Sequence, residues 1–316
     1  MKKWVAVLLI LFFIGVGGSV MTIYASGGLN FNTVDILQSK TVDGDSVQSI
    51  AVDCSSTDVS IREAQDQNDI KVKMTGNVSK KLKDDYKLNV SSDKGTLIVG
   101  LDVRNMFHVG FNVRNVKIEI TVPEKIYDRL AVQVKSGDID VDGLKSKEAN
   151  LETASGDLIL KNLENASQLD IQASSGDVEI KDSHVENLKF KANSGDLVID
   201  GVSAKTSDLS TSSGDMDISN LSGNILANLA SGDLTIRNAK DTGDITADMA
   251  SGDVTITFKE KPTDLAVDFK ANSGDGKVQL DGFLFEEKEE DRILGKIGSG
   301  KHLVKVHAAS GDFVLK

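Results

Sequence analysis

From Leu130 onward the chain alternates apolar and polar side chains in short arms, such as Leu234-Thr235-Ile236-Arg237 and Asp215-Met216-Asp217-Ile218. A period of two predicts strands with one buried face. Between successive arms stands the triplet Ser-Gly-Asp, beginning at Ser136, Ser155, Ser175, Ser194, Ser213, Ser231, Ser251, Ser273 and Ser310. Its first seven steps are 19, 20, 19, 19, 18, 20 and 22 residues, and the last is 37. Aligned on the serine, the position four before it reads Val132, Leu151, Ile171, Phe190, Leu209, Ala227, Ala247, Phe269 and Val306. Five after it stand Val141, Leu160, Ile180, Ile199, Ile218, Ile236, Ile256, Val278 and Leu315.

A repeat near 20 residues, read as strand, turn, strand, cannot bury its apolar face alone. Stacked copies share one continuous core, and each inward Ile or Leu contributes roughly 2 kcal/mol on burial. The expected fold is therefore all-β, a parallel β-solenoid of about nine coils over residues 130–316. With rungs about 4.8 Å apart, it is a rod on the order of 40 Å long. The step does not follow the six-residue rule of left-handed hexapeptide helices, which favours a right-handed or flattened two-sheet form. The structural turns fall at Gly137, Gly156, Gly176, Gly195, Gly214, Gly232, Gly252, Gly274 and Gly311, where backbone freedom makes the corner.

The ends differ from the rod. Trp4 to Tyr24 is an uninterrupted uncharged run, long enough at about 1.5 Å per residue to cross a bilayer core. Lys2 and Lys3 precede it, which predicts residues 1–3 in the cytoplasm, a single-pass signal anchor at 4–24 and the body outside the cell. A cleaved signal peptide ending at Ala25 is the competing reading, but Ile23 is a poor fit to the small-residue cleavage pattern. Gly15 and Ser19 are spaced for close helix approach. Residues 27–129 carry alternating stretches without the triplet: Ser49 to Val59, Ile70 to Met74, Tyr86 to Val90, Thr96 to Leu101 and Val116 to Val122. They read as an irregular β head covering the first coil. The acidic run Glu286 to Asp291 reads as a solvated loop or short helix shielding the last coils.

Composition narrows the functional classes. Without Lys2 and Lys3, the outer part sets 34 basic against 48 acidic residues, about −14. Such a surface disfavours nucleic acid and anionic envelope polymers as direct ligands. Cys54 is the single cysteine, so no disulfide holds the fold, and it reads as a buried small hydrophobe. One Trp and three Tyr leave few aromatic platforms for a carbohydrate-processing cleft.

The triplet aspartates Asp138, Asp157, Asp177, Asp196, Asp215, Asp233, Asp253, Asp275 and Asp312 should form a ladder along one edge. Carboxylates one rung apart repel by roughly 1 kcal/mol in water and about 3.5 kcal/mol at an effective dielectric near 20. The ladder therefore needs solvation, turn amides or bridging cations. Amide-bonded turn residues are the simplest account, and no metal is assigned. Calcium bridging is the sharper alternative, although calcium-binding β-rolls use a glycine-rich nonapeptide of another period. Catalysis needs two carboxylates in unlike environments, whereas here every coil carries the same acid in the same place. No catalytic residue or cofactor is assigned.

Gly295 to Lys301 resembles a phosphate loop, but His302 stands where Ser or Thr should hold magnesium and a strand-like segment follows. It reads as a corner before the last rung. His108, His184, His302 and His307 are too scattered for a ligand set, although His302 and His307 could approach one another.

The repeated Ser-Gly-Asp triplet with flanking alternation resembles the putative-adhesin β-strand-repeat family of bacteria. The head adds to the likeness, with Val59-Ser60-Ile61 in a first hairpin and Thr121-Val122-Pro123 leading to the first coil. An anchor followed by this ectodomain is similar to LiaG-like membrane-anchored proteins of Gram-positive bacteria. The resemblance covers roughly residues 45–316. It implies a cell-envelope location and a link to envelope stress operons, and it supplies no catalytic residues. The expected function is non-enzymatic binding or scaffolding outside the membrane, with an envelope or membrane protein as partner. The alternatives are a cation-dependent surface adhesin and an extracytoplasmic polysaccharide-modifying enzyme.

Overall fold

A computed structural model describes residues 32–104, 113–238 and 242–316. The expected cytoplasmic residues, the anchor at 4–24 and His108 lie outside them. Among the described residues no helix is long and apolar enough to cross a membrane.

Among the described residues two long sheets carry the fold, one of 13 strands and one of 14. Each coil from Ile126 to Phe258 spends a strand of 10 or 11 residues in the larger sheet, such as Val185–Ser194 or Lys145–Ser155. It turns at Ser-Gly-Asp and adds four or five residues to the smaller sheet, such as Leu197–Asp200 or Val254–Phe258. Neighbouring coils pair in parallel without a shift over most of the rod, so Val132, Leu151, Ile171, Phe190 and Leu209 lie side by side. All nine residues of that column are buried, as is every member but Val278 of the column five after the serine. The period-two arms thus build the expected two-sheet core, filled by Ile, Leu and Val. Phe269 stacks on Phe313 where the core ends, with ring centroids 5.1 Å apart.

The number and order of coils depart from the sequence reading. Removing the antiparallel strands at the ends leaves eleven stacked coils among the described residues, not nine. The two extra coils lie in residues read as an irregular head. Ser49–Cys54 and Asp58–Ala64 pair in parallel with Ile126–Ser136 and Ile139–Asp142 as ordinary rungs. Thr96–Val103 and Arg114–Pro123 stack on their other side. The strand holding Val59-Ser60-Ile61 is therefore one arm of a coil rather than half of a hairpin. Its partner arm belongs to the other sheet.

At the far end the last triplet is not the last rung. His302–Ser310 inserts between Thr242–Ser251 and Leu265–Ala271. Phe313–Leu315 does the same between Val254–Phe258 and Gly276–Val278. The acidic run is half strand and half loop: Leu284–Lys288 and Arg292–Ile297 form an antiparallel hairpin laid on Leu265–Ala271, and Glu289 to Asp291 make its turn. At the other end Asp69–Ser79 and Thr33–Asp43 extend the smaller sheet antiparallel, and Tyr86–Asp93 extends the larger. Gln38 joins the two edges: its Nε2 donates to the Tyr86 carbonyl at 2.8 Å, and the Leu88 amide donates to its Oε1 at 2.9 Å.

Candidate functional site

The Ser-Gly-Asp edge is the feature repeated most often, and its geometry follows from two constraints. The glycines take φ between +110° and +135°, a region closed to L side chains. They also stack so closely that a methyl on Gly195 would lie 2.1 Å from the Gly176 carbonyl oxygen. Backbone bonds between coils continue on either side of the corner, from the Gly214 amide to the Ser231 carbonyl and from the Met216 amide to the Asp233 carbonyl, but the aspartate's own amide turns to a side chain. The Asp177 amide donates to Asp157 Oδ1 at 2.9 Å, and the Asp196 amide donates to Asp177 Oδ1 at the same distance. This pattern runs from Asp138 through Asp157, Asp177, Asp196, Asp215 and Asp233 to Asp253. It ends in spatial order, Asp253 to Asp312 to Asp275.

Each carboxylate but that of Asp275 thus accepts an amide from the next coil, a charge-assisted bond that offsets repulsion between neighbours. The ladder also starts earlier than the triplets do. Asp58 Oδ1 accepts from the Asp138 amide at 3.1 Å, and the Gly137 position packs on the Thr57 carbonyl. Ser56-Thr57-Asp58 is a degenerate triplet, hidden because Thr stands where the others carry Gly, and Thr57 lacks the positive φ of those glycines. Among the described residues no group of three or more His, Cys, Asp or Glu side chains is arranged to hold a metal ion.

A second corner, seven residues after the serine, escaped the sequence reading. Gly143, Asn162, Asp182, Gly201 and Asn220 all have positive φ. Asn162 Nδ2 donates to Asp142 Oδ1 at 2.8 Å, and Asn220 Nδ2 to Asp200 Oδ1 at 2.9 Å. The signal was present: Gly, Asn and Asp are the residues that tolerate this conformation. The residue after each is Leu144, Leu163, Ser183, Val202 or Leu221, all buried.

Other singled-out groups are structural. Cys54 is buried, and burial, reinforced by the Asp53 charge, pushes its thiol up to about 12, far from a reactive thiolate. In the glycine-rich corner, Ser299 donates its hydroxyl to Asp264 at 2.7 Å. That bond, with amides of the same turn, holds the Asp264 carboxyl below its usual range. The turn binds the Asp264 carboxylate of an earlier loop and leads into a strand. His302 and His307 are five apart on one strand and so point to opposite faces. His184 forms an isolated bridge to Ser203 elsewhere.

Two surface depressions lie on the outer face of the larger sheet. One, of about 320 Å³, is floored by Ala51 and Ala131 near Ile98, Arg129 and Asp170. The other, of about 680 Å³, lies beside the hairpin at the far end of the rod.

The fold has known counterparts. A putative adhesin from Parabacteroides distasonis shares 14% identity, over 88% of this chain and 97% of that one, with a TM-score of 0.53. A putative lipid binding protein from the same species (15% identity, 89% and 97% covered) and a putative adhesin from Bacteroides fragilis (15%, 89% and 97%) score 0.48 and 0.44. At these identities the first likeness bears on the fold alone. No curated protein matches the chain. The model of the Toastrack DUF4097 family matches residues 47–316, a span that starts at the degenerate coil rather than at the first triplet. The chain belongs to the Toastrack DUF4097 family.

Proposed function

We propose that this protein is a membrane-anchored, extracytoplasmic and non-enzymatic binding or scaffold protein of the cell envelope. Its amino end lies in the cytoplasm, and the solenoid reaches outward from the anchor at 4–24. Its partner is an envelope or membrane protein rather than a nucleic acid, and its pathway is an envelope stress response of the LiaG-like kind. The observation that carries the non-enzymatic reading is the uniformity of the ladder: its carboxylates are bonded to backbone amides in the same way from coil to coil. A catalytic pair requires two acids in unlike surroundings. A rod of stacked coils offers long, regular faces, which suits binding to a macromolecule.

The test is crosslinking of the full-length protein in cells, with and without a cell-wall antibiotic. A membrane protein recovered reproducibly, and lost when residues 47–316 are deleted, is the expected result. Recovery of wall glycan alone counts against the scaffold reading. Calcium-dependent self-association of the full chain, abolished by chelator, would favour the cation-dependent adhesin.

A further inference from the structure

The larger depression has a lining that the scaffold reading does not use. It lies between the outer face of the strands His302–Ser310 and Leu265–Ala271 and the turn of the hairpin 284–297. On its floor the register sets His307, Lys270 and Arg292 side by side across three strands. Of these, Lys270 and Arg292 are like charges at adjacent positions on one face, which cost stability unless something neutralises them. Arg292 is neutralised from within, by ion pairs to Asp268 and to Glu287. His307 lies 3.7 Å from Asp248. Lys270, and Lys305 one row away, form no ion pair within 4.0 Å among the described residues. The turn lining the same cleft carries Glu289 and Asp291, which also lack an ion pair there. Two unspent cations and two unspent anions thus line one cleft without meeting.

We propose that this cleft binds a small zwitterion. Its anionic end pairs with Lys270 and Lys305, and its ammonium pairs with Glu289 and Asp291. A simple anion placed there meets repulsion from the turn, and a simple cation meets repulsion from the floor. A molecule bearing both signs satisfies both sets of charges. The volume of about 680 Å³ suits a small molecule. A free amino-acid or peptide terminus and a phosphoethanolamine headgroup share this chemistry. The inference rests on the cleft alone and stands apart from the anchor and the protein partner.

The full-length protein in detergent would be titrated calorimetrically with two zwitterions, dialanine and soluble phosphoethanolamine. N-acetyl-dialanine and dialanine amide, each stripped of one charge, serve as controls. Binding of dialanine assigns the peptide-like source, and binding of phosphoethanolamine alone assigns the headgroup. In either case K305Q and E289Q should each weaken binding about fivefold, the scale of a partly exposed charge pair. Both residues are exposed, so circular dichroism should be unchanged in the variants. Three results would overturn the proposal: no binding of either zwitterion, equal binding of the singly charged controls, or charge variants that bind like the parent. None of these outcomes depends on which proteins are crosslinked in cells.

Discussion

The two corners of each coil set different demands on single residues. Gly195 combines φ of +110° with a carbonyl 2.1 Å from where a Cβ would lie, whereas the nearest atom to a Cβ on Gly143 is 3.8 Å away. Both carry backbone strain as alanine, but only the first also forces two coils apart. G195A should cost about 3 kcal/mol or more, and G143A about 1 kcal/mol, in denaturant unfolding. Equal losses would show that coil spacing does not depend on glycine. Glu63 is a second residue-scale test. Its Oε1 is buried without a hydrogen-bond partner, and burial raises its carboxyl above the ordinary 4.5, partly offset by Lys145. The folded chain therefore holds the Glu63 proton more tightly than the unfolded chain does. This carboxyl destabilises the fold increasingly as pH rises through 4.5 and its folded value. E63Q should melt higher than the parent at pH 7, and the difference should vanish as pH falls below about 4.

At the scale of elements, the corner glycines, the inward columns and the strand arms were legible because each repeats locally with fixed spacing. The second corner was less so, since it is written in three residue types rather than one. The coil 49–64 was hidden because Thr57 breaks the triplet, although Asp58 keeps its ladder role. The end strands are held by contacts far apart in sequence, and Gln38 is the clearest case. Its side-chain amide replaces a missing strand by bonding both Tyr86 and Leu88 on an open edge. Q38A leaves that donor and acceptor unmet and should cost about 1 to 3 kcal/mol. Amide hydrogen exchange at Leu88 should accelerate, whereas exchange at Ile180 in the middle of the rod should not change.

At the scale of the molecule, both ends are closed by the same topological device. The coil 49–64 lies inside the one formed by Thr96–Val103 and Arg114–Pro123. The coil 302–315 lies inside 265–278. A solenoid frays at its outermost coils, which contact one neighbour only. Here the outermost coils are tied on both sides to chain that runs through the interior, and antiparallel strands cover their edges except at Gly276–Val278, the last strand of the smaller sheet. Eleven rungs make a rod about 50 Å long. Interior coils, by contrast, are interchangeable. Excising residues 176–194 joins Ser175 to Gly195, which restores the triplet and leaves each column continuous. The shortened protein should fold with the same circular dichroism, melt slightly lower and lose about 5 Å of length in small-angle scattering. Aggregation of that variant would mean that the coils are not equivalent after all.

The amino-acid sequence by itself determined that this is a stacked β protein, which side chains face inward, and where the sharp corner falls. Those features are local and periodic, so strand alternation and glycine chemistry specify them without knowledge of distant residues. Only the tertiary structure decided the order of the coils, because their inward columns carry the same apolar residues and fit equally well in either sequence. It also decided that the ladder begins at Asp58 and ends at Asp275. The cleft at the far end exists for the same reason: Lys305 neighbours Asp268, and His307 neighbours Lys270, only because the final coil is inserted rather than appended. Long-range pairing, not local pattern, brings those charges together.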